Sequence, residues 1–480
     1  MRQTINPQMQ LGEVDISAIT FNPKSRDDIP RLLMALQYIW TNLELRAQVF
    51  QALEKMISAD RNNGRPGMHL WRVLVFGTLR LVINCDYDRL LELANEHGSL
   101  RKILGHGPYC EHQYKLQTLQ DNIALFTPEI LDQINQVVVN AGHLLVKKEE
   151  EPICARADSF VVKTNAHFPT DINLLRDAVR KMIEWATTLS SEQQESLWRQ
   201  SLYLQEQHKK RFNKARNLKR STSTNETLRE ARQDGIEAVH ADYVRYSQKL
   251  ICKAETTLKL LKIRTPGDRR LKELECWIKD ADYQCQLIIR RVLNHETIPH
   301  NEKIFSLFER HTEWISKGKA GVPVELGLRV CVLQDQFGFT LHHLVMEKQT
   351  DDQITVTIAE GAKQRFPQVS QVSYDRGFWS PENLEKLEAF LDRAVLPKKG
   401  RWSEQDRLRE RHPEFIRAKR KHSAVESDIN ALEQHGLDRC PDIGIDGYRR
   451  YVALAVLGTN LYRLGSLLQK KARQVVQKTA

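Results

Sequence analysis

Cysteine is scarce and scattered in this chain of 480 residues. The eight cysteines stand at 85, 110, 154, 252, 276, 285, 331 and 440, with no CxxC pair among them. That pattern excludes a zinc ribbon and a disulfide framework, and it fits a reducing compartment. His106, Cys110 and His112 lie close together, but four ligands at zinc-finger spacing are missing, so they are expected in a loop. No apolar run nears the length of a membrane span and 28% of the residues are charged, so a soluble protein is expected. Met1-Arg2-Gln3-Thr4 lacks the apolar centre of a signal peptide. No convincing internal repeat and no long low-complexity tract is visible.

Positive charge is in excess. The chain carries 72 Lys+Arg against 61 Asp+Glu, a net charge of +11, with a pI near 9.1. The excess is modest for the length, yet it fits a polyanionic partner. A hydrophobic content of 41% can build real cores, and the length suggests about two to four domains.

Residues 1–26 read as an extended, mobile segment. From 27 to 150 the pattern is helical. Leu32, Leu33, Leu36, Ile39 and Trp40 form one apolar face, and Val49, Leu53 and Met56 the next. Asn62 to Gly67 reads as a turn, Leu70–Cys85 as a buried helix, and Tyr87–Gly98 as another with Asp86 as its cap. Pro128–Val146 is a further helix. Ile153–Val162 reads as a strand. Thr170 or Asp171 then caps a long helix. From 172 to 300 nearly everything is helical, with apolar residues stepping by three and four at 172, 175, 179, 182, 186 and 189 and in two later runs. Such steps predict an arm of helices packed along a coiled-coil-like seam. Strand character returns at Leu326–Gln334 and Phe339–Met346, a hairpin by its turn residues. A helix at Asp352–Phe366, a strand before Asp375, a helix at Pro381–Asp392, a strand at Ala394–Leu396 and a helix bearing Glu426 follow. The end, 448–480, reads as helix interrupted near Gly465. Without the arm, the core of 151–171 and 301–447 runs strand, hairpin, helix, strand, helix, strand, helix. That order is an α/β ribonuclease-H-like layout.

Three carboxylates stand out. Asp375 follows the strand-like Val369-Ser370-Gln371-Val372-Ser373 and precedes Arg376-Gly377, which presents a carboxylate at the rim of a sheet. Asp158 lies in Arg156-Ala157-Asp158-Ser159, and Glu426 in His422-Ser423-Ala424-Val425-Glu426 on a predicted helix. Two divalent ions about 3.5–4 Å apart can activate a nucleophile and stabilise a leaving oxygen in phosphodiester cleavage. Oxygen ligands suit Mg²⁺ for that task. Rival assignments stay open, because Asp171 lies near Asp158, while Asp428 and Glu433 share the helix predicted for Glu426. Asp375 also suits a turn.

The segment from Arg156 through Asp158 to Asn165-Ala166-His167-Phe168-Pro169-Thr170-Asp171, with Leu174-Leu175 behind it, resembles the first-aspartate region of bacterial insertion-sequence transposases of the DDE superfamily. Tyr374-Asp375-Arg376-Gly377-Phe378 is similar to their second-aspartate motif, and His422–Glu426 to their glutamate helix. Gly64-Arg65-Pro66 before an apolar helix resembles their N-terminal domain. The resemblance spans about residues 60 to 460. It implies that Asp158, Asp375 and Glu426 are the catalytic and metal-binding triad, with two Mg²⁺ ions per site and Mn²⁺ able to substitute. It implies nicking at terminal inverted repeats, then joining of the 3′-hydroxyl ends to target DNA. It also implies a dimer or higher multimer on double-stranded DNA, no membrane, and a bacterial cytoplasm in contact with the nucleoid. One large transposase group places Tyr, Arg and Lys around its glutamate. Here Lys419, His422 and Glu433 hold those positions, and the insertion comes earlier and is helical. The group often labelled ISNCY fits best.

In this frame Arg376, Lys398, Lys399, Arg401, Lys419, Arg420, Lys421 and His422 are expected to hold DNA phosphates. Trp379 is expected either to stack on an unpaired base or to pack in the core. Asn165 and His167 either touch DNA or bond locally in a turn. The basic run 208–220 lies on DNA or forms the solvated face of the arm, and residues 27–150 read the terminal repeats or dimerise. Two further readings share these residues: a metal-dependent DNA nuclease, and a catalytically silent DNA-binding protein of transposon origin.

Overall fold

A computed structural model describes residues 13–57, 67–148, 150–218, 222–316 and 324–479. The Gly64-Arg65-Pro66 motif, most of the turn predicted at 62–67, residues 1–12 and the end of the basic run at 219–220 lie outside them. The chain forms two compact units. One comprises residues up to Asn165 together with those from Glu313 onward; the other is Ala166–Thr312.

The first unit is an α/β assembly around a mixed sheet of seven strands. These are β1 (Ile153–Thr164), β2 (Glu313–Ser316), β3 (Val324–Asp335), β4 (Thr340–Met346), β5 (Val369–Ser373), β6 (Arg393–Val395) and β7 (Arg439–Cys440). The β3–β4 hairpin is antiparallel, and β3 pairs antiparallel with β1 so that Asp158 faces Val332. On its other edge β1 pairs in parallel with β5, and β5 with β6. β2 extends the outer edge of β3, and β7 joins β1 at Lys163 and Thr164. Neither short strand shows in the pattern of the sequence, because two to four residues carry no measurable alternation.

The N-terminal helices share one continuous core with this sheet instead of forming a core of their own. Their ends follow local capping chemistry. Asn42 closes Asp28–Thr41 and caps Leu43–Glu54 with its side-chain oxygen. Asp86 caps Tyr87–Glu96, and Thr127 caps Pro128–Val146. A buried polar network fastens helix to hairpin. The Asn135 and Asn460 amides both donate to the Thr340 carbonyl, and Thr340 N–H donates back to Asn460 Oδ1 at 2.9 Å. The segment at 13–26 is more ordered than its composition suggests, since Ile16 and Ile19 are buried in the same core.

The final helix, Gly444–Thr479, is continuous, which corrects the break expected near Gly465. A Cβ at position 465 would lie 1.9 Å from the Arg31 carbonyl oxygen. Glycine is needed there for close helix contact, not to end the helix. Gly444–Gln477 is long and apolar enough to cross a membrane, but 72% of its apolar window is buried within the fold. Tyr448, Val452, Leu454, Leu457 and Leu461 belong to the core, which explains that apolarity without a lipid phase.

The second unit is all helix apart from short turns, with Asp171–Glu192, Ser201–Asn217, Glu226–Arg264 and Arg270–Ile288 as its long members. Thr170 is the cap of the first. Leu175, Val179, Met182, Ala186 and Leu189 are buried as the three-four stepping predicts, but so are Leu174, Ala178 and Ile183. The apolar face is therefore broader than a two-stranded seam and suits a helix packed on more than one neighbour. The basic run is divided by its periodicity. His208 and Phe212 are buried, Arg211 pairs with Asp242 and stacks on Tyr246, and Lys209 and Lys210 face solvent.

Candidate active site at the β1–β5 junction

Asp158 lies inside β1, at the sixth position of its twelve. The strand continues because β3 pairs with it on one side along most of its length. The other side is different. β5 pairs with β1 as far as Arg156↔Ser373, and β7 joins only at Lys163. Between them, among the described residues, no strand lies on this edge of β1. Asp158 sits in that opening.

Asp375 stands two residues past Ser373 as Asp158 stands two past Arg156. In a parallel pair this register brings the two aspartates to the same level and the same face. Below Asp375 the loop is anchored by Tyr374 and Phe378, both buried. Tyr374 Oη donates to the Thr355 carbonyl at 3.1 Å, and Thr355 Oγ1 donates to the Phe378 carbonyl at 3.0 Å. Asp375 itself accepts the Gly377 N–H at 2.6 Å as the cap of a short 3-10 turn and stays exposed.

Glu426 comes from Val425–Leu432. The preceding basic residues are on a separate helix, Pro413–His422, which corrects the single helix expected. At Ser423 and Ala424 the backbone stays right-handed with ψ near −20°, so the turn tightens. The Ser423 hydroxyl donates to the Arg420 carbonyl there.

The rival carboxylates have other partners. Asp428 accepts from Arg156 at 2.9 Å, and Asp171, in the helical unit, accepts from Arg291 at 2.8 Å. Glu433 opens a π-type turn, Glu433–Leu437. Asp158 accepts only the Ser159 N–H, at 2.7 Å. Burial, followed by the charges of Asp375, Asp351 and Glu426, pushes its carboxyl up to about 6, against the relief of that one hydrogen bond. The three predicted carboxylates are thus electrostatic neighbours.

Asp351 is a fourth. It is the first residue of the helix Asp351–Arg365, and its Oδ1 accepts the Ser159 hydroxyl at 2.6 Å. Its Oδ2 lies 3.9 Å from Arg329. A Cβ on Gly377 would stand 3.0 Å from Asp375 Oδ1 and 3.5 Å from Asp351 Oδ2, so both carboxylates flank this glycine. Sequence reading missed Asp351 because Thr350-Asp351-Asp352-Gln353 has the pattern of a capping box, which it also is. Among the described residues no three His, Cys, Asp or Glu side chains are gathered tightly enough to hold one metal ion. The carboxylates are neighbours without being a closed ligand set. Their hard oxygen donors and unrelieved negative charge suit Mg²⁺ in kind.

The expected DNA-contacting residues divide. His422 reaches back to the sheet, its Nδ1 3.1 Å from Ser373 Oγ, and burial lowers its pKa against the pull of Asp375. Arg376 is exposed beside Asp375. Trp379 is half-buried against the core with Lys398 Nζ 5.3 Å from its ring centre, which favours packing over a free stacking face. Lys398 is paired with Asp406. Lys399, Arg401, Arg420 and Lys421 are exposed, and Lys419 lies 3.8 Å from Glu410. Asn165 lies seven residues along the chain from Asp158, roughly 23 Å at strand spacing, so it is not part of the carboxylate cluster. His167, in the helical unit, pairs with Asp177 at 3.3 Å, the local bonding weighed as its alternative.

No family model matches this chain, and neither a curated protein nor a solved structure matches it.

Proposed function

We propose that this chain is a metal-dependent DNA phosphoryl transferase, a DDE-type transposase that nicks terminal inverted repeats and joins the 3′-hydroxyl ends to target DNA. The observation that carries the reading is the juxtaposition of Asp158, on β1, with Asp375, in the loop that leaves the neighbouring parallel strand β5, and with Glu426 within electrostatic reach. The strand order β4-β3-β1-β5-β6, with only β3 antiparallel to β1, supports a ribonuclease-H-like core. The net charge of +11 supports a polyanionic substrate.

Asp158, Asp375 and Glu426 would hold the metal, with Asp351 at their side. Bound divalent ions supply charge to an attacking and a leaving oxygen at phosphorus. The protein's own part is positioning. The rigid β1–β3 pairing fixes Asp158, and the Tyr374–Phe378 anchor fixes Asp375. With its carboxyl near 6 in the metal-free protein, Asp158 must release a proton to bind a cation in mildly acidic solution. Nicking and joining are both displacements at phosphorus, so one set of carboxylates serves both. A cytoplasmic protein acting as a dimer or larger multimer is the setting that fits.

The test is cutting of a labelled duplex carrying the gene's flanking DNA, by this protein and by Asp375→Asn. Mg²⁺-dependent cutting at a discrete end, lost in the variant, supports the reading. A joined product in the same reaction favours a transposase over a nuclease. Equal binding without cutting by both proteins would discard the triad.

A further inference from the structure

Two residues before Asp158 on β1, and two before Asp375 at the end of β5, lies a second concavity, with a volume of about 270 Å³. Its floor is the sheet, at Cys154, Arg156, Gln371 and Ser373. Its wall is the helix Pro413–His422, which contributes Glu414, Arg417 and Lys421. Arg393 closes it from β6. Four cationic side chains therefore line it, against Glu151 and Glu414. Two of the four are paired, Arg393 with Glu414 and Arg156 with Asp428. Arg417 and Lys421, one helical turn apart, have no ion-pair partner among the described residues. Arg156 Nε is buried without a hydrogen-bond partner. Helical and strand geometry thus bring two solvated cations without ion-pair partners over a sheet floor that carries Arg156, a local excess of positive charge that favours an anion.

The spacing suggests which anion. Ser373 lines the cavity and also accepts or donates at His422, and it stands two residues before Asp375. Two residues along a strand are about 6.6 Å, close to two axial steps of about 3.4 Å along one DNA strand.

We propose that this cavity is a phosphate subsite of the substrate strand, taking a phosphodiester one or two nucleotides from the bond at the carboxylates. Arg417 and Lys421 are its charge donors, and Arg156 adds positive charge from the sheet. The assignment rests on the reading that the chain handles DNA, not on its cutting DNA. Cys154, half-buried on the floor, serves as a native reporter, its raised thiol pKa being opposed by the nearby charges of Lys421 and Arg393.

The experiment uses the full chain in chelator, so that its outcome is separate from the cleavage test. A short fluorescein-labelled single strand is titrated against the wild type, Arg417→Gln/Lys421→Gln, the charge-keeping Arg417→Lys/Lys421→Arg, and a charge-matched control at exposed lysines of the helical unit, Lys259→Gln/Lys272→Gln. Alkylation of Cys154 by iodoacetamide, read on its peptide by mass spectrometry, is followed with the strand or with pyrophosphate. Expected is a roughly tenfold or greater loss of affinity in the neutralised double variant, with a salt slope shallower by about one. The charge-keeping variant and the control bind as wild type. The strand slows Cys154 alkylation several-fold in the wild type and not in the neutralised variant. Unchanged affinity in that variant, or alkylation indifferent to the strand, overturns the proposal. Protection by pyrophosphate but not by the strand also overturns it, in favour of a small-anion site. Strand binding with protection, but no cutting when Mg²⁺ is restored, leaves the subsite standing and removes the nuclease chemistry instead.

Discussion

In the helical unit Asp171, Glu192, Asp280 and Glu302 each face an arginine, respectively Arg291, Arg270, Arg310 and Arg290. Around Asp158 the arrangement is reversed. Asp158, Asp375 and Glu426 have no ion-pair partner among the described residues, and Asp351 has only a distant one in Arg329. The contrast also holds within the sheet unit. Asp335, on the strand next to Asp158, is more deeply buried, yet it takes His143 Nε2 at 2.6 Å and the N–H groups of Phe337 and Phe339. Where a carboxylate serves the fold, its lone pairs are filled by the protein. Around Asp158 several are left without a protein partner side by side; the cost falls on Asp158, the most buried of the three, and on the proposed function a bound cation would offset it.

The largest expected effect breaks this contrast at the site. On the proposed function Asp375→Asn removes a metal-holding oxygen worth several kcal/mol of charge stabilisation, so metal-dependent cutting should fall about 10³-fold. Binding in chelator is unchanged, because no metal is then involved. A variant that still cuts at the wild-type rate would end the assignment.

Stability moves the opposite way. A carboxyl displaced from 3.8 to about 6 is penalised when ionised, by at most about 3 kcal/mol at 1.36 kcal/mol per tenfold change in proton affinity. The folded pKa lies above the unfolded one. The penalty is therefore complete above pH 6 and is relieved as pH falls through 6 towards 3.8. In chelator at pH 8, Asp158→Asn should raise the urea midpoint, and the gain should shrink by pH 5. By the same logic Mg²⁺ stabilises the wild type by about 1.4 kcal/mol for each tenfold excess over its Kd, an effect that weakens below pH 6 and is absent from Asp158→Asn. Asp280→Ala in the helical unit should instead destabilise by up to about 1 kcal/mol, since it removes the acceptor of a half-exposed Arg310 guanidinium that water can partly replace. If Asp158→Asn and Asp280→Ala shift the urea midpoint in the same direction, the contrast is lost.

The elements with long periodic signals were legible in the sequence. The helices Tyr87–Glu96 and Pro128–Val146, the strand carrying Asp158, the β3–β4 hairpin and the Thr170 cap all follow from spacing and capping chemistry. Asp158, Asp375 and Glu426 were also named from sequence, with Asp171, Asp428 and Glu433 open beside them. What separated Asp171 and Asp428 from the three was tertiary: each has an arginine from a distant part of the chain. Asp351 was invisible because a first-turn aspartate is ordinary helix chemistry. The break between His422 and Val425 was missed because both sides keep helical backbone angles. Gly465 was misread because a glycine for close approach and a glycine for termination look alike in one sequence.

The smallest expected effect decides which force distinguishes the two regions. Glu184, half-exposed on the helix Asp171–Glu192, pairs with Arg180 and Lys181 at 2.8 and 2.7 Å; burial raises its pKa, and these hydrogen bonds outweigh that and hold it low. Its folded pKa lies below the unfolded one, so its contribution is present above that value and lost on acidification. Because the pair is solvent-exposed, Glu184→Gln should cost only about 0.3–0.5 kcal/mol, and molar salt should erase the difference. For Asp158 burial is the largest cause; the neighbouring charges also raise its pKa, each by less than the Ser159 hydrogen bond lowers it. Salt screens only those charges, so the gain from Asp158→Asn in chelator should persist at high salt in large part. If salt abolishes it as fully as it abolishes the Glu184 effect, the site is a surface cluster of like charges. The desolvated setting that makes Asp158 a candidate for metal chemistry would then be absent.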